Sequence, residues 1–175
     1  MNNIILIGMP GCGKSTLGVL LAKNLAYHFL DSDLLIQQKA GKKLQEILDQ
    51  DGTEAFGKLE NEVNLNLDLQ NTVLATGGSA VYWEESMQHL KSIGLVVYIQ
   101  VPYEELKSRI TNMDSRGIVI PEGKTFRDIY EEREVLYLKY ADIVLTEKDG
   151  QDLWTNCCRV TDAIRAYENK KKVSK

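Results

Sequence analysis

The chain has 175 residues, with 43% hydrophobic and 26% charged residues and a formal net charge of -4. That length suits one domain, and the composition is that of a globular protein rather than a disordered, collagenous or disulfide-stapled one. The acidic balance provides no broad positive field for nucleic acid or an anionic membrane.

Apolar runs of strand length alternate with segments of helical period, the pattern of an α/β sheet built from crossover units. "NIILIGM" (Asn3–Met9) is continuously apolar, as expected of a strand buried on both faces. It is also too short for a signal-peptide core or a membrane span, so a soluble cytoplasmic protein is expected. "KSTLGVLLAKNLA" (Lys14–Ala26) spaces Leu17, Leu20, Leu21 and Leu25 as one helical face. "YHFLDSD" (Tyr27–Asp33) reads as a second strand ending in carboxylates, followed by helices at Leu34–Ala40, Leu44–Asp51 and about Thr53 to Asp68. "TVLAT" (Thr72–Thr76) is a third strand, running into Gly77 and Gly78.

A helix at Glu84–Ser92 and a strand at Leu95–Val101 come next, and Pro102 opens another helix, where its missing N–H is harmless. Between Thr111 and Lys124 the periodicity dissolves into a long loop. Phe126–Ala141 is helical, Asp142–Thr146 is a fifth strand, and a last helix runs from about Asp152 to Glu168. The basic tail "NKKKVSK" reads as a solvated end. Cys12, Cys157 and Cys158 form no metal-ligand or disulfide spacing, consistent with a reduced compartment.

"GMPGCGKST" (Gly8–Thr16) fits G-x-x-x-x-G-K-[ST], the phosphate-binding P-loop, and it lies between a buried strand and an amphipathic helix. Glycines let the backbone close around phosphate oxygens so that successive N–H groups form an anion nest, reinforced by the helix N-terminus. The segment Gly11, Cys12, Gly13, Lys14, Ser15 and Thr16 is thus the expected nucleotide site, with Lys14 for the outer phosphates and Ser15 as an Mg²⁺ ligand. The pair Asp31 and Asp33 suits one carboxylate near Mg²⁺ and one near an acceptor hydroxyl. A helix cap at Leu34 accounts for it equally well. No N-K-x-D sequence for guanine occurs, and the size favours a small-molecule kinase.

Together with the P-loop, "FLDSD", "ATGGS" (Ala75–Ser79), Arg109, Arg116 and the R-x-x-x-Y-x-x-x-A-D run of Arg133–Asp142 resemble the shikimate kinase family of nucleoside-monophosphate-kinase-like enzymes. The resemblance implies a single three-layer α/β/α domain with a five-stranded parallel sheet of order 2-3-1-4-5. It also implies an acceptor-binding helical region at about 33–62 and a lid at about 111–124. The implied reaction is transfer of the ATP γ-phosphoryl group to shikimate, forming shikimate 3-phosphate in aromatic amino acid biosynthesis, by a monomer that needs neither nucleic acid nor membrane. By the same resemblance Ser15 and Asp31 serve Mg²⁺, and Asp33 holds and deprotonates the acceptor. Gly77 and Gly78 offer it N–H groups, Arg133 pairs with its carboxylate, and Lys14 and Arg116 stabilise the transferring phosphoryl group. Arg109 lies on the nucleotide side, and the adenine contacts fall near Thr146–Gly150. Read without the family, Arg109 and Arg133 are ordinary surface members of charge networks on their helices.

Four positions depart from the family pattern. Gly57 stands where it has an arginine gripping the shikimate carboxylate, beside Glu60, that arginine's usual partner. Thr53, Ser79 and Gly117 replace a glutamate, a glycine and a lid proline. Gly57 also sits inside a helix, where glycine costs about 1 kcal/mol relative to alanine. Lys58, Lys124 and Arg127 are the available substitute cations. Three functions follow: shikimate phosphorylation, the same transfer to another hydroxylated acceptor, and a nucleotide-binding regulator without kinase activity.

Overall fold

The computed structural model describes residues 3–110, 120, 123–147 and 152–173. Five strands, β1 (Ile4–Ile7), β2 (His28–Asp31), β3 (Thr72–Ala75), β4 (Leu95–Gln100) and β5 (Ile143–Thr146), form one parallel sheet of order β2-β3-β1-β4-β5. This is the expected order. Seven helices accompany them among the described residues: α1 (Lys14–Leu25), α2 (Ser32–Ala40), α3 (Leu44–Leu65), α4 (Glu84–Ile93), α5 (Tyr103–Arg109), α6 (Phe126–Tyr140) and α7 (Leu153–Val173). Every residue of β1 and β3 is buried. Alternate side chains point to opposite faces of a strand, so continuous burial requires helices on both faces. α1 packs on β2, β3 and α7, whereas α4 and α6 pack on β4.

Parallel register brings the carboxyl ends of the central strands level, with Leu6 opposite Ala75 and Asp31 opposite Ala75 on the other side. The loops leaving β1, β2 and β3 therefore meet at one edge, the usual place for a ligand in an open α/β sheet. A second, smaller hydrophobic cluster of Ile36, Ile47, Phe56 and Val63 joins α2 to α3 apart from the main core. It gives the helical region beyond β2 its own packing.

Two sequence boundaries shift for physical reasons. β2 stops at Asp31, because that residue caps α2: its carboxylate accepts the Asp33 N–H at 3.0 Å. Asp33 accordingly lies in the first turn of a helix and not on an extended strand end. The expected helices Leu44–Asp51 and Thr53–Asp68 are the two halves of α3, kinked at Gly52, whose φ of 84° and ψ of 171° are not helical.

Candidate active site

The loop after β1 reverses through Gly11 and Gly13, at φ of +81° and +89°, a backbone that side-chain-bearing residues rarely adopt. Gly13 is the N-cap of α1, so the positive end of that helix faces the loop. Lys14 is only 7% exposed and folds back, its ammonium donating to the carbonyls of Gly8 at 2.8 Å and Met9 at 2.9 Å. These bonds hold the charge at the mouth of the anion nest.

Next to it, the Ser15 hydroxyl donates to Asp31 Oδ2 at 2.7 Å, while Asp31 Oδ1 caps α2. Capping and a site role were alternatives for the aspartate pair in the sequence; Asp31 does cap α2 through one oxygen, and its other oxygen accepts from Ser15. A hydroxyl and a carboxylate oxygen side by side are hard donors of the kind that suit Mg²⁺.

A cavity of about 310 Å³ opens from this point and is lined by Gly11, Gly13, Lys14, Ser15, Asp33, Phe56, Glu60, Gly77, Gly78, Ser79 and Arg133, among others. Asp33 stands in its wall with its carboxyl pushed up to about 6, chiefly by burial and then by the nearby Asp31, against the opposing charge of Lys14. Arg133 is 2% exposed; its Nε donates to the Tyr82 hydroxyl at 3.3 Å and its guanidinium lies 5.1 Å from the Tyr82 ring centre. It is therefore a buried cation at the cavity and not a member of a surface charge network on α6.

The glycines after β3 are required by close approach. A β-carbon on Gly77 would stand 2.2 Å from Glu60 Oε1 and 3.1 Å from Asp33 Oδ1, and one on Gly78 would stand 2.6 Å from Pro10. The Gly77 N–H, expected to serve the acceptor, is instead taken by the Ser32 hydroxyl at 3.0 Å. What Gly77 contributes is the bare α-carbon that lets two carboxyls close in. Tyr137, the tyrosine of the R-x-x-x-Y run, donates to the Gly78 carbonyl at 2.7 Å, tying α6 to this loop.

Glu60 is fully buried, and Ser79 donates to its Oε2 at 2.7 Å. The serine that replaces the family's third glycine thus provides the hydrogen bond left open by Gly57. Among the described residues Oε1 has no hydrogen-bond partner. Burial pushes the Glu60 carboxyl up to about 7, opposed by the Ser79 hydrogen bond, with Asp33 raising it further and Arg133 lowering it.

Gly57 has a steric reason. A β-carbon there would meet the Trp83 indole at 2.9 Å. Beside it lies a second cavity of about 380 Å³, lined by Thr53, Phe56, Gly57, Ser79, Tyr82, Trp83, Glu132 and Arg133. Ser32, Tyr82 and Trp83 were not singled out in the sequence. Only Ser32, between the two aspartates, carried a local hint.

The remaining residues divide. Lys58 pairs outward with Glu54 at 2.6 Å, and Arg127 pairs with Glu104 at 2.9 Å while lying 4.1 Å from the Tyr103 ring centre, so neither faces the cavities. Arg109 is bound by Glu105 and Glu147, the latter beside the expected adenine loop. Arg116, Gly117, most of the expected lid and Lys148–Gly150 lie outside the described residues.

Comparison with known proteins accords with this geometry. The family model for shikimate kinase matches residues 10–163. The chain belongs to the shikimate kinase family. The shikimate kinase of Francisella tularensis subsp. novicida is 40% identical over 147 residues, 82% of this chain and 84% of that one. That of Clostridium botulinum is 39% identical over 141 residues, 79% and 83%. Among solved structures, the Acinetobacter baumannii shikimate kinase in complex with shikimate superposes with a TM-score of 0.87 at 31% identity, covering 95% of this chain and 94% of its own. The Aquifex aeolicus shikimate kinase superposes with a TM-score of 0.78, again at 31% identity, covering 94% and 96%. Family membership makes the chain an ATP-dependent small-molecule kinase, which removes the reading as a regulator without kinase activity. Among the described residues no helix is long and apolar enough to cross a membrane.

Proposed function

We propose that this kinase transfers the γ-phosphoryl group of ATP to a ring hydroxyl of shikimate, yielding shikimate 3-phosphate and ADP. The observation that carries the reading is the convergence on one cavity of a P-loop ammonium (Lys14), a hydroxyl (Ser15) that is hydrogen-bonded to Asp31 behind it, a half-buried carboxylate (Asp33) and a buried guanidinium (Arg133). The first two suit the phosphates, and the last two suit an acceptor with a hydroxyl at one end and a carboxylate at the other. Ser15 and Asp31 would hold Mg²⁺, which when bound offsets charge on the phosphate chain.

The chain's own groups do the rest. The P-loop N–H groups and Lys14 hold the phosphates, and Lys14 moves its charge from the Gly8 and Met9 carbonyls toward the transferring group. Asp33 fixes the acceptor hydroxyl and takes its proton as the new P–O bond forms and the bond to the β-phosphate oxygen breaks; a carboxyl pushed toward neutrality is better suited to that task than an ordinary one. Arg133 orients the acceptor through its carboxylate, and Arg116 stabilises charge on the phosphoryl group from the lid at about 111–124. Arg109 serves the nucleotide, and α2 with the first part of α3 forms the acceptor side, about 33–62. The same reading makes ATP and a small acceptor the partners of a monomeric, cytoplasmic enzyme.

A second reading, transfer to a different hydroxylated acceptor, is favoured by Trp83 standing where a side chain at 57 would begin. Measuring ADP release with shikimate beside a panel of polyols and hydroxy acids separates the two. Shikimate-dependent turnover is expected, and turnover only with a non-shikimate acceptor would overturn the first reading.

A further inference from the structure

The order of the sheet decides which way a bound nucleotide extends. The acceptor cavity opens over β2 and β3, since Asp33 follows β2 while Gly77, Gly78 and Ser79 follow β3. The P-loop follows β1, the next strand along. In direct transfer the γ-phosphate faces the acceptor and the leaving oxygen lies opposite, roughly in line. Ribose and base therefore extend from the P-loop away from β3, over the ends of β4 and β5. Two close contacts fix what stands there. A β-carbon on Gly8 would lie 2.7 Å from the Ile99 carbonyl, so the P-loop abuts the end of β4. One on Gly11 would lie 3.0 Å from Ile110 and 3.8 Å from Leu106, so the end of α5 packs on the P-loop itself. Arg109 precedes Ile110 and is carried to the edge of that loop.

Two carboxylates restrain its guanidinium. Glu105, one turn back on α5, accepts from Nη2, and Glu147, just past β5, pairs with the same nitrogen at 2.6 Å. Glu105 is a local helix neighbour. Glu147 comes from across the sheet and is firmly anchored. Its backbone N–H donates to the Gln100 carbonyl at 2.8 Å, and its Oε1 accepts from Asn156 Nδ2 at 2.9 Å. Asn156, on α7, is 1% exposed. Arg159 of the same helix donates to Asn156 Oδ1 at 3.2 Å and to the Thr146 carbonyl at 3.1 Å. The ends of β4 and β5, with α5 and α7, thus meet at one carboxylate. The Glu147 side chain is 10% exposed and that of Arg109 35%, so the carboxylate backs a guanidinium that stays partly open. Glu147 Oε2 accepts no hydrogen bond among the described residues, so what it supplies to Arg109 is charge. A pair this buried recovers little net stability. What its anchoring secures is the place of the guanidinium.

We propose that Glu147 is a positioning residue for the nucleotide: held by Asn156, it keeps the Arg109 guanidinium beside the P-loop with a face turned to the base of bound ATP. The inference rests on the reading above that gives Arg109 to the nucleotide, and goes beyond it by naming what holds Arg109 there. A guanidinium plane stacks on a flat aromatic ring. Held in advance, it loses little freedom when the base arrives. Glu147 reaches the base only through Arg109.

The test titrates the full chain by calorimetry with ATP and Mg²⁺ and, separately, with tripolyphosphate and Mg²⁺, which offers the phosphates without the base. Turnover with shikimate is measured in parallel. Glu147→Gln keeps the shape and the Asn156 hydrogen bond and removes the charge. It is expected to weaken ATP binding about fivefold, and Arg109→Ala about tenfold, the scale of one cation–π contact. Both should leave tripolyphosphate binding within about twofold of the parent. Turnover should show a higher KM for ATP, with kcat and the KM for shikimate unchanged. The double variant should bind ATP no more weakly than Arg109→Ala, because Glu147 acts through Arg109. Parental ATP binding by Glu147→Gln, beside a weakened Arg109→Ala, would overturn this inference alone. Parental ATP binding by Arg109→Ala would overturn the nucleotide reading of Arg109 and the inference with it. If Glu147→Gln lost tripolyphosphate as strongly as ATP, the effect would be general damage to the P-loop and the base-directed role would fall.

Discussion

Gly57→Ala isolates the contact that accounts for the glycine. In a helix interior, alanine is favoured over glycine by about 1 kcal/mol. Against this, the new methyl group would start 2.9 Å from the Trp83 indole, closer than packed atoms approach. Overpacking of this kind costs about 1–3 kcal/mol, because a large ring must leave its rotamer or the helix must shift. The two effects oppose, so the substitution should be neutral or destabilising by up to about 2 kcal/mol. In a Trp83→Leu background the clash is gone and the propensity gain should emerge, making the same substitution stabilising by about 1 kcal/mol. Urea denaturation of the four proteins closes a double-mutant cycle, with a coupling well above the roughly 0.3–0.5 kcal/mol scatter of independent sites. If Gly57→Ala stabilises the parent by the full propensity increment, Trp83 is not packed there and the steric account of Gly57 is wrong. The same contact predicts that Gly57→Arg alone will not lower the KM for shikimate, because the side chain has no path past the indole.

Ser79→Ala leaves both oxygens of a fully buried carboxyl without a donor, and should destabilise the fold by about 1–3 kcal/mol, read as a lower urea midpoint. The pH dependence of Glu60 has a definite sign: its folded value, about 7, lies above the ordinary 4.5, so the protonated form is the one the fold favours. Stability from this group is fully present below about 4.5 and is lost as pH rises through about 7; Glu60→Gln should flatten that fall, and an unchanged slope of urea midpoint against pH would refute it. Gly77→Ala places a methyl group 2.2 Å from Glu60 Oε1 and should raise the KM for the acceptor while leaving ATP binding intact, as measured by separate titrations. Lys14→Met removes a P-loop cation and is expected to cut kcat at least a hundredfold with little change in acceptor binding; a kcat within tenfold of the parent would take Lys14 out of the transfer step.

Much of the nucleotide side was legible in the sequence because its chemistry is local. A phosphate nest is made by consecutive backbone groups, so the spacing of Gly8, Gly13, Lys14 and Ser15 specifies it with no knowledge of distant contacts. The strand order followed from the family resemblance, and the strands and helices from hydrophobic period, though their ends moved where a cap or a kink intervened, as at Asp31 and Gly52. The acceptor side was legible only in part, because it is assembled from residues far apart in the chain. Position 57 looked like a missing cation in a helix; across the fold it is the space that Trp83 needs. Position 79 looked like a lost glycine, and it is the hydroxyl that satisfies Glu60 from another element. Linear spacing reports which residue types follow one another along the backbone. Which side chain at 83 faces the glycine at 57, and which hydroxyl reaches a buried carboxylate, was decided when the loop after β3 folded onto α3.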